Sequence, residues 1–171
     1  MPEHTEAMNH QPSRPTLRDI DLICYDFDGV MTDNRALVSE DGTEAVWVHR
    51  GDGLAIEMLG RAGVRQVIVS KERNPVVSAR GAKLGLPVLQ GIDDKLDIVT
   101  RYAAENHIAL DRTLYVGNDI NDLQAMAAVA HAVAPSDAHP QVLAEADHVT
   151  ASPGGRGVIR ELYDLLMETG T

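Results

Sequence analysis

The sequence predicts an α/β fold, a Rossmann-like doubly wound parallel sheet with a short β-hairpin insertion and no cap domain. Three observations predict it. Across 171 residues, short apolar runs alternate with segments of helical spacing, and repeated β-α alternation implies a mainly parallel sheet with helices on both faces. The runs are mainly apolar, as in strands buried on both sides. The one interruption is a pair of strand-like runs around a turn, which leaves room for a hairpin but not for a second domain. The length suits one domain with an ordinary core.

The elements follow in order. Residues 1–17 are polar, hold three prolines and lack periodicity, so a mobile tail is expected there, with a single domain over 18–171. Leu22–Tyr25 reads as the first strand. Arg35–Ser39 and Glu44–Val48 flank Glu40-Asp41-Gly42, a hairpin turn signal. Leu54, Met58, Leu59 and Ala62 share one helical face. Gln66–Val69 is the next strand, followed by a helix carrying Arg80 and Lys83. Val88–Leu89 comes next, and then Leu96, Val99 and Ala103 at helical spacing. Thr113–Val116 and Ala130–Val133 complete the strands. A last helix holds Val158, Ile159, Leu162, Leu165 and Leu166.

The composition is that of a globular protein, 44% hydrophobic and 24% charged. No apolar run approaches the roughly 20 residues that cross a bilayer, and no apolar signal core opens the chain, so a cytoplasmic location is expected. Cys24, the single cysteine, lies inside the first strand and reads as a small buried hydrophobe. A net charge of −11 argues against nucleic acid and anionic membranes as partners. It does not exclude a phosphorylated substrate, because a bound divalent cation reverses the local field.

The chemistry is concentrated at element ends. The first strand empties into Asp26-Phe27-Asp28-Gly29, two carboxylates one residue apart. Ligands of open α/β sheets bind beyond the carboxyl ends of the strands. Two converging carboxylates repel unless a cation or a shared proton lies between them, which suits a carboxylate nucleophile beside a divalent metal. Ser70 ends the second sheet strand, Lys95 opens a helix after Asp93-Asp94, and Gly117-Asn118-Asp119-Ile120-Asn121-Asp122 follows Thr113–Val116. In a parallel sheet these termini converge on one rim. Transfer through a carboxylate splits phosphate hydrolysis into two displacements, and catalysis is then mostly positioning and electrostatics. A hydroxyl (Ser70) and an ammonium (Lys95) can hold phosphoryl oxygens. A magnesium ion, Mg2+, prefers hard oxygen ligands, and Asp28 can serve as acid and then base. Each fragment alone has an ordinary reading, such as a turn, a strand end or a solvated helix residue. Their ordered placement at successive termini is what points to function.

These motifs resemble the haloacid dehalogenase superfamily of aspartate-nucleophile phosphotransferases, over residues 20–167. Within it the chain is similar to the capless phosphatases of 3-deoxy-2-ulosonic acid phosphates. The matches are Asp26–Asp33, Arg50-Gly51-Asp52-Gly53, Gln90–Leu96, Asp137-Ala138-His139-Pro140 and Gly154-Gly155-Arg156-Gly157. The resemblance implies Asp26 as nucleophile, Asp28 as acid/base, and Ser70 and Lys95 as phosphate holders. It implies a Mg2+ site made from Asp26, the Asp28 carbonyl and the first position after Gly117. That position is Asn118, with Asp119 next, so either residue remains a candidate ligand. Glu72, Arg80 and Lys83 match the pattern of nine-carbon substrates, although Lys71-Glu72 replaces the Gly-Arg or Gly-Glu that usually follows Ser70. The substrate class implied is a small sugar-acid phosphate of eight or nine carbons.

A capless protomer leaves an acyl phosphate exposed, and members of the subfamily resolve this as tetramers. A homo-oligomer is therefore expected, with Arg156 acting between subunits and His49, Arg50 and Asp52 facing substrate at the hairpin exit. The rival reading is a non-catalytic assembly domain, like the phosphatase-like part of some acylneuraminate cytidylyltransferases. The intact Asp28 argues against it, whereas Asn118 and Lys71 argue mildly for it.

Overall fold

The computed structural model describes residues 15–168. Most of the expected tail, residues 1–14, lies outside them. Pro15 is buried, and Leu17–Asp19 forms a single 3-10 turn with Leu17 packed against the core.

The strands are β1 (Leu22–Tyr25), β2 (Thr32–Val38), β3 (Glu44–Val48), β4 (Arg65–Ser70), β5 (Val88–Gln90), β6 (Thr113–Val116), β7 (His131–Ala134) and β8 (His148–Val149). The helices are α1 (Arg50–Arg61), α2 (Pro75–Leu84), α3 (Lys95–Glu105), α4 (Leu123–Ala128), α5 (Pro140–Glu145) and α6 (Val158–Met167). Six strands form one parallel sheet in the order β5-β4-β1-β6-β7-β8. β2 and β3 pair separately as the antiparallel hairpin. The chain thus starts mid-sheet, winds to one edge, and returns past β1 to build the other half. The reversal lies between β1 and β6, and α/β sheets bind ligands at such a switch point.

Strand alternation divides the core into two layers. Ile23 and Tyr25 of β1 face α1 and α6, in a cluster with Ile56, Leu59, Ile159 and Leu162. Leu22 and Cys24 face the opposite way, onto Val99 and Ala103 of α3 and Met126 of α4. Each such apolar side chain withdrawn from water stabilises the fold by about 1.5–3 kcal/mol. Two polar groups enter the first layer as a satisfied relay, with Tyr25 Oη donating to Gln66 Oε1 at 2.8 Å and Gln66 Nε2 donating to the Ile56 carbonyl at 2.9 Å.

The register aligns the strand ends. Tyr25 lies opposite Ile68 on one side and Val116 on the other. Residues 26, 70 and 118 therefore leave the sheet at neighbouring points on one rim.

Candidate active site

At that rim opens a cavity of about 580 Å³, and Asp26, Asp28, Ser70, Lys95, Asn118 and Asp119 all line it. Asp26 directly follows β1, and its backbone N–H still donates to the Val116 carbonyl at 2.9 Å. Its Oδ1 accepts from the Phe27 N–H at 2.7 Å, and its Oδ2 lies 2.9 Å from Lys95 Nζ. Residues 27–31 make one wide turn, closed by the Thr32 N–H on the Phe27 carbonyl. Gly29 within it has φ +79°, and a Cβ there would lie 1.9 Å from the Asn118 side-chain amide. Only glycine lets this turn approach Asn118.

The far end of the Asn118 carboxamide lies 3.1 Å from Asp26 Oδ2 and 2.9 Å from the Asp28 carbonyl oxygen. Turned nitrogen-first, it donates to both. Turned oxygen-first, it completes a cluster of three oxygens that holds together only around a cation. Among the described residues no group of three His, Cys, Asp or Glu side chains is placed to hold a metal. The donors that converge are one carboxylate, one peptide carbonyl and one carboxamide, all hard oxygens of the kind magnesium takes. Asp119 sits at the cavity mouth instead, where its Oδ1 accepts from the Ile120 N–H at 2.7 Å and caps a short turn.

Beneath the cavity lies Asp122, fully buried. Its Oδ1 accepts from Lys95 Nζ at 2.7 Å and Tyr115 Oη at 2.8 Å, and its Oδ2 accepts from the N–H groups of Asn118 at 2.9 Å and Asp119 at 3.1 Å. One carboxylate thus fixes both the ammonium and the loop that carries Asn118. Sequence reasoning assigned it no role, although it closes the Gly117–Asp122 run.

Burial and the charge of Asp122 push the Asp26 carboxyl well above its usual range, against Lys95 and the Phe27 N–H. Burial alone would lower the Lys95 ammonium, but the charges of Asp26 and Asp122 outweigh it and hold Lys95 protonated above its ordinary value. Burial, and then the charge of Glu72, raise Asp28 above the ordinary aspartate value, partly offset by the Thr32 hydroxyl. A carboxyl so raised is suited to giving up a proton at a reacting oxygen. The buried Ser70 Oγ accepts from the Glu72 N–H at 3.1 Å, which leaves its own hydrogen free to donate.

The residues expected to face substrate are dispersed within the chain. Glu72 lines the main cavity, together with Lys71, Arg73 and Asn34. Its Oε1 accepts from the N–H groups of Arg73 at 2.6 Å and Asn74 at 2.9 Å, shaping the β4–α2 loop. Arg50, Arg80 and Lys83 line a different cavity beside α1 and α2, of about 690 Å³. His49 and Arg156 line a third, of about 290 Å³, with Trp47. Asp52 is buried, and its Oδ1 accepts from the Arg160 N–H at 3.0 Å in the first turn of α6. The hairpin leaves Trp47 76% exposed and Leu37 70% exposed.

A haloacid dehalogenase-like hydrolase model matches residues 80–162. The 3-deoxy-D-manno-octulosonate 8-phosphate phosphatase KdsC of Escherichia coli K12 is 34% identical over 150 residues, 87% of this chain and 80% of its own. A solved structure from Streptomyces avermitilis MA-4680, named only as a HAD family hydrolase, aligns with TM-score 0.89 at 47% identity and covers 92% of this chain and 91% of its own. The 3-deoxy-D-manno-octulosonate 8-phosphate phosphatase of Moraxella catarrhalis, solved with magnesium, phosphate and KDO, aligns with TM-score 0.87 at 28% identity, over 94% of this chain and 92% of its own. No helix among the described residues is long and apolar enough to cross a membrane. With two aspartates, a serine and a buried lysine gathered at the switch point, and with relatives of this identity and coverage, the chain belongs to the haloacid dehalogenase-like hydrolases.

Proposed function

We propose that this chain is a magnesium-dependent phosphatase that hydrolyses the phosphate monoester of an eight- or nine-carbon 3-deoxy-2-ulosonic acid through an aspartyl-phosphate at Asp26. A phosphoric monoester hydrolase follows from its family and its relatives. The observation that carries the finer reading is the convergence of Asp26 Oδ2, the Asp28 carbonyl and the Asn118 carboxamide beside the ion-paired Lys95.

In the first step an Asp26 carboxylate oxygen attacks phosphorus, the bond from phosphorus to the sugar oxygen breaks, and the Asp28 carboxylic acid protonates the departing alkoxide. In the second, Asp28 takes a proton from water as that water attacks phosphorus. The bond to Asp26 then breaks, and inorganic phosphate leaves. Ser70 and Lys95 hold the equatorial oxygens, where negative charge accumulates. Asp26, the Asp28 carbonyl and Asn118, with Asp119 at the cavity mouth, would hold a magnesium ion, which would supply charge neutralisation.

The substrate reading is supported by the octulosonate phosphatases among the relatives and by Glu72 at the cavity. Arg156 then reaches the substrate of a neighbouring copy, and His49, Arg50, Asp52, Arg80 and Lys83 are the remaining substrate-side residues. The exposed Trp47 and Leu37 of the hairpin pack against a neighbour in a homotetramer.

The test is a panel of eight- and nine-carbon ulosonic acid phosphates, hexose phosphates and an aryl phosphate, each with magnesium and with EDTA, alongside sedimentation of the purified chain. The expected result is EDTA-sensitive turnover with preference for the ulosonic acid phosphates. An equal or greater preference for hexose phosphates contradicts the substrate class, and a chain without turnover on any ester is the assembly domain instead.

A further inference from the structure

Two stretches singled out in the sequence supply no residue to the lining of the cavity around Asp26: Asp137-Ala138-His139-Pro140 and Gly154-Gly155-Arg156-Gly157. The structure links them to each other by hydrogen bonds. The His139 N–H donates to the Asn118 carbonyl at 2.8 Å. Two residues earlier, Asp137 Oδ1 accepts from the Gly154 N–H at 2.8 Å. Ser136 ties the same two loops, its N–H on the Ser152 carbonyl at 3.3 Å and its hydroxyl on the Ala151 carbonyl at 3.1 Å.

The glycine loop in turn lies against the turn that carries Asp28. The Gly155 N–H donates to the Val30 carbonyl at 3.0 Å. A Cβ at Gly154 would stand 2.2 Å from the Gly29 carbonyl oxygen and 2.9 Å from that of Thr32. Nothing larger than glycine fits between the two backbones. A continuous strap therefore runs from Asn118 through His139 and Asp137 to Gly154, and from Gly155 to residues 29–32. It joins the two separate segments whose oxygens converge in front of Asp26.

We infer that Asp137 is a positioning residue, which through Gly154 sets the spacing between the Asp28 carbonyl and the Asn118 carboxamide and thereby tunes cation affinity. This rests on the proposed magnesium site. The physical argument is that ligands borne on two loops keep their separation only if the loops are tied to each other. The β1 and β6 pairing ends at Tyr25 and Val116, before either ligand is reached. Outer partners that orient metal ligands typically carry about 10–100-fold in metal affinity or activity.

The test uses the whole chain and manganese as the probe, with binding followed by electron paramagnetic resonance in the absence of substrate. Asp137 is exposed, so its truncation leaves no cavity and the variants should fold. Asp137→Ala should weaken manganese binding by about tenfold while thermal unfolding stays near that of the parent. Asp137→Asn, which keeps the Oδ1 acceptor, should restore parental affinity. Parental affinity in Asp137→Ala overturns the inference, as does an Asp137→Asn variant as weak as the alanine one. Should Asp137→Ala not fold, Asp137→Ser, too short to reach the Gly154 N–H, replaces it; failure of both to fold also overturns it. If the parent chain binds no manganese, the metal reading itself has failed, and the inference falls with it.

Discussion

Lys95 Nζ lies 2.7 Å from Asp122 Oδ1, with both side chains buried and Asp26 Oδ2 at 2.9 Å from the same ammonium. One cation is thus shared between a carboxylate open to the cavity and one sealed beneath it. Removing one member of a buried charge set leaves the others uncompensated, at a cost of about 3–5 kcal/mol. Asp122→Ala should therefore lose stability on that scale in urea unfolding, together with most of its activity. A loss below about 1 kcal/mol, the size of an exposed pair, would mean that the triad does not hold the loop.

Asp28 should reveal itself through the leaving group. A sugar alkoxide needs a proton as it departs, whereas p-nitrophenolate does not. Asp28→Asn should slow phosphorylation by the sugar phosphate by about 10²–10⁴ and phosphorylation by the aryl phosphate far less, as read by rapid quench. Because burial raises this carboxyl above its usual range, the acid form persists to higher pH than an exposed aspartate allows. The parent's kcat/KM should then fall as pH rises through that raised pKa, and the limb should vanish in the variant. Equal slowing of both esters would remove Asp28 from the acid role.

Asn118 offers a gain-of-charge test. A carboxamide contributes one oxygen without charge, and site affinity rises with ligand charge. Asn118→Asp should lower the magnesium concentration giving half-maximal rate by about tenfold, while Asn118→Ala should raise it. Unchanged magnesium dependence in both variants would move the ligand role to Asp119.

Asp52 yields a stability prediction of definite sign. It is buried, its Oδ2 lacks a partner, and burial raises its carboxyl above 3.8 despite the Arg160 N–H. The native state keeps a proton that the unfolded state releases, so stability falls as pH rises from 3.8 through the raised value. Asp52→Asn keeps the acceptor for Arg160 and removes that fall. It should be more stable than the parent at neutral pH by roughly 1 kcal/mol, the advantage vanishing in acid. A variant less stable at pH 7 would show that the charge is compensated by Arg80 and His49.

Much of this was legible before any coordinates, and the reasons differ by element. β1 and β6 were legible because buried parallel strands read as short, mainly apolar runs, as Leu22–Tyr25 and Thr113–Val116 do. β8 was not, because two residues, His148–Val149, carry no period. α4 and α5, six residues each, are likewise too short to show a repeat. Asp26, Asp28, Ser70 and Lys95 were legible because strand and helix ends fix where a side chain begins. Asp122 was missed because its partner Lys95 lies 27 positions away, and spacing reports only local geometry. Arg80 and Lys83 sit on the helix after Ser70 as expected, yet the course of α2 carries them to a separate cavity.

The most direct measurement is chemical trapping at Asp26. A turning-over mixture of the protein, magnesium and a phosphate monoester, quenched with borohydride, should reduce the acyl phosphate at Asp26 to its alcohol. Peptide mass spectrometry should find that change at position 26, and not after EDTA. Turnover proceeding with Asp26 unmodified, or with the reduced carboxyl elsewhere in the chain, would contradict the assignment of Asp26 as the group that receives phosphorus.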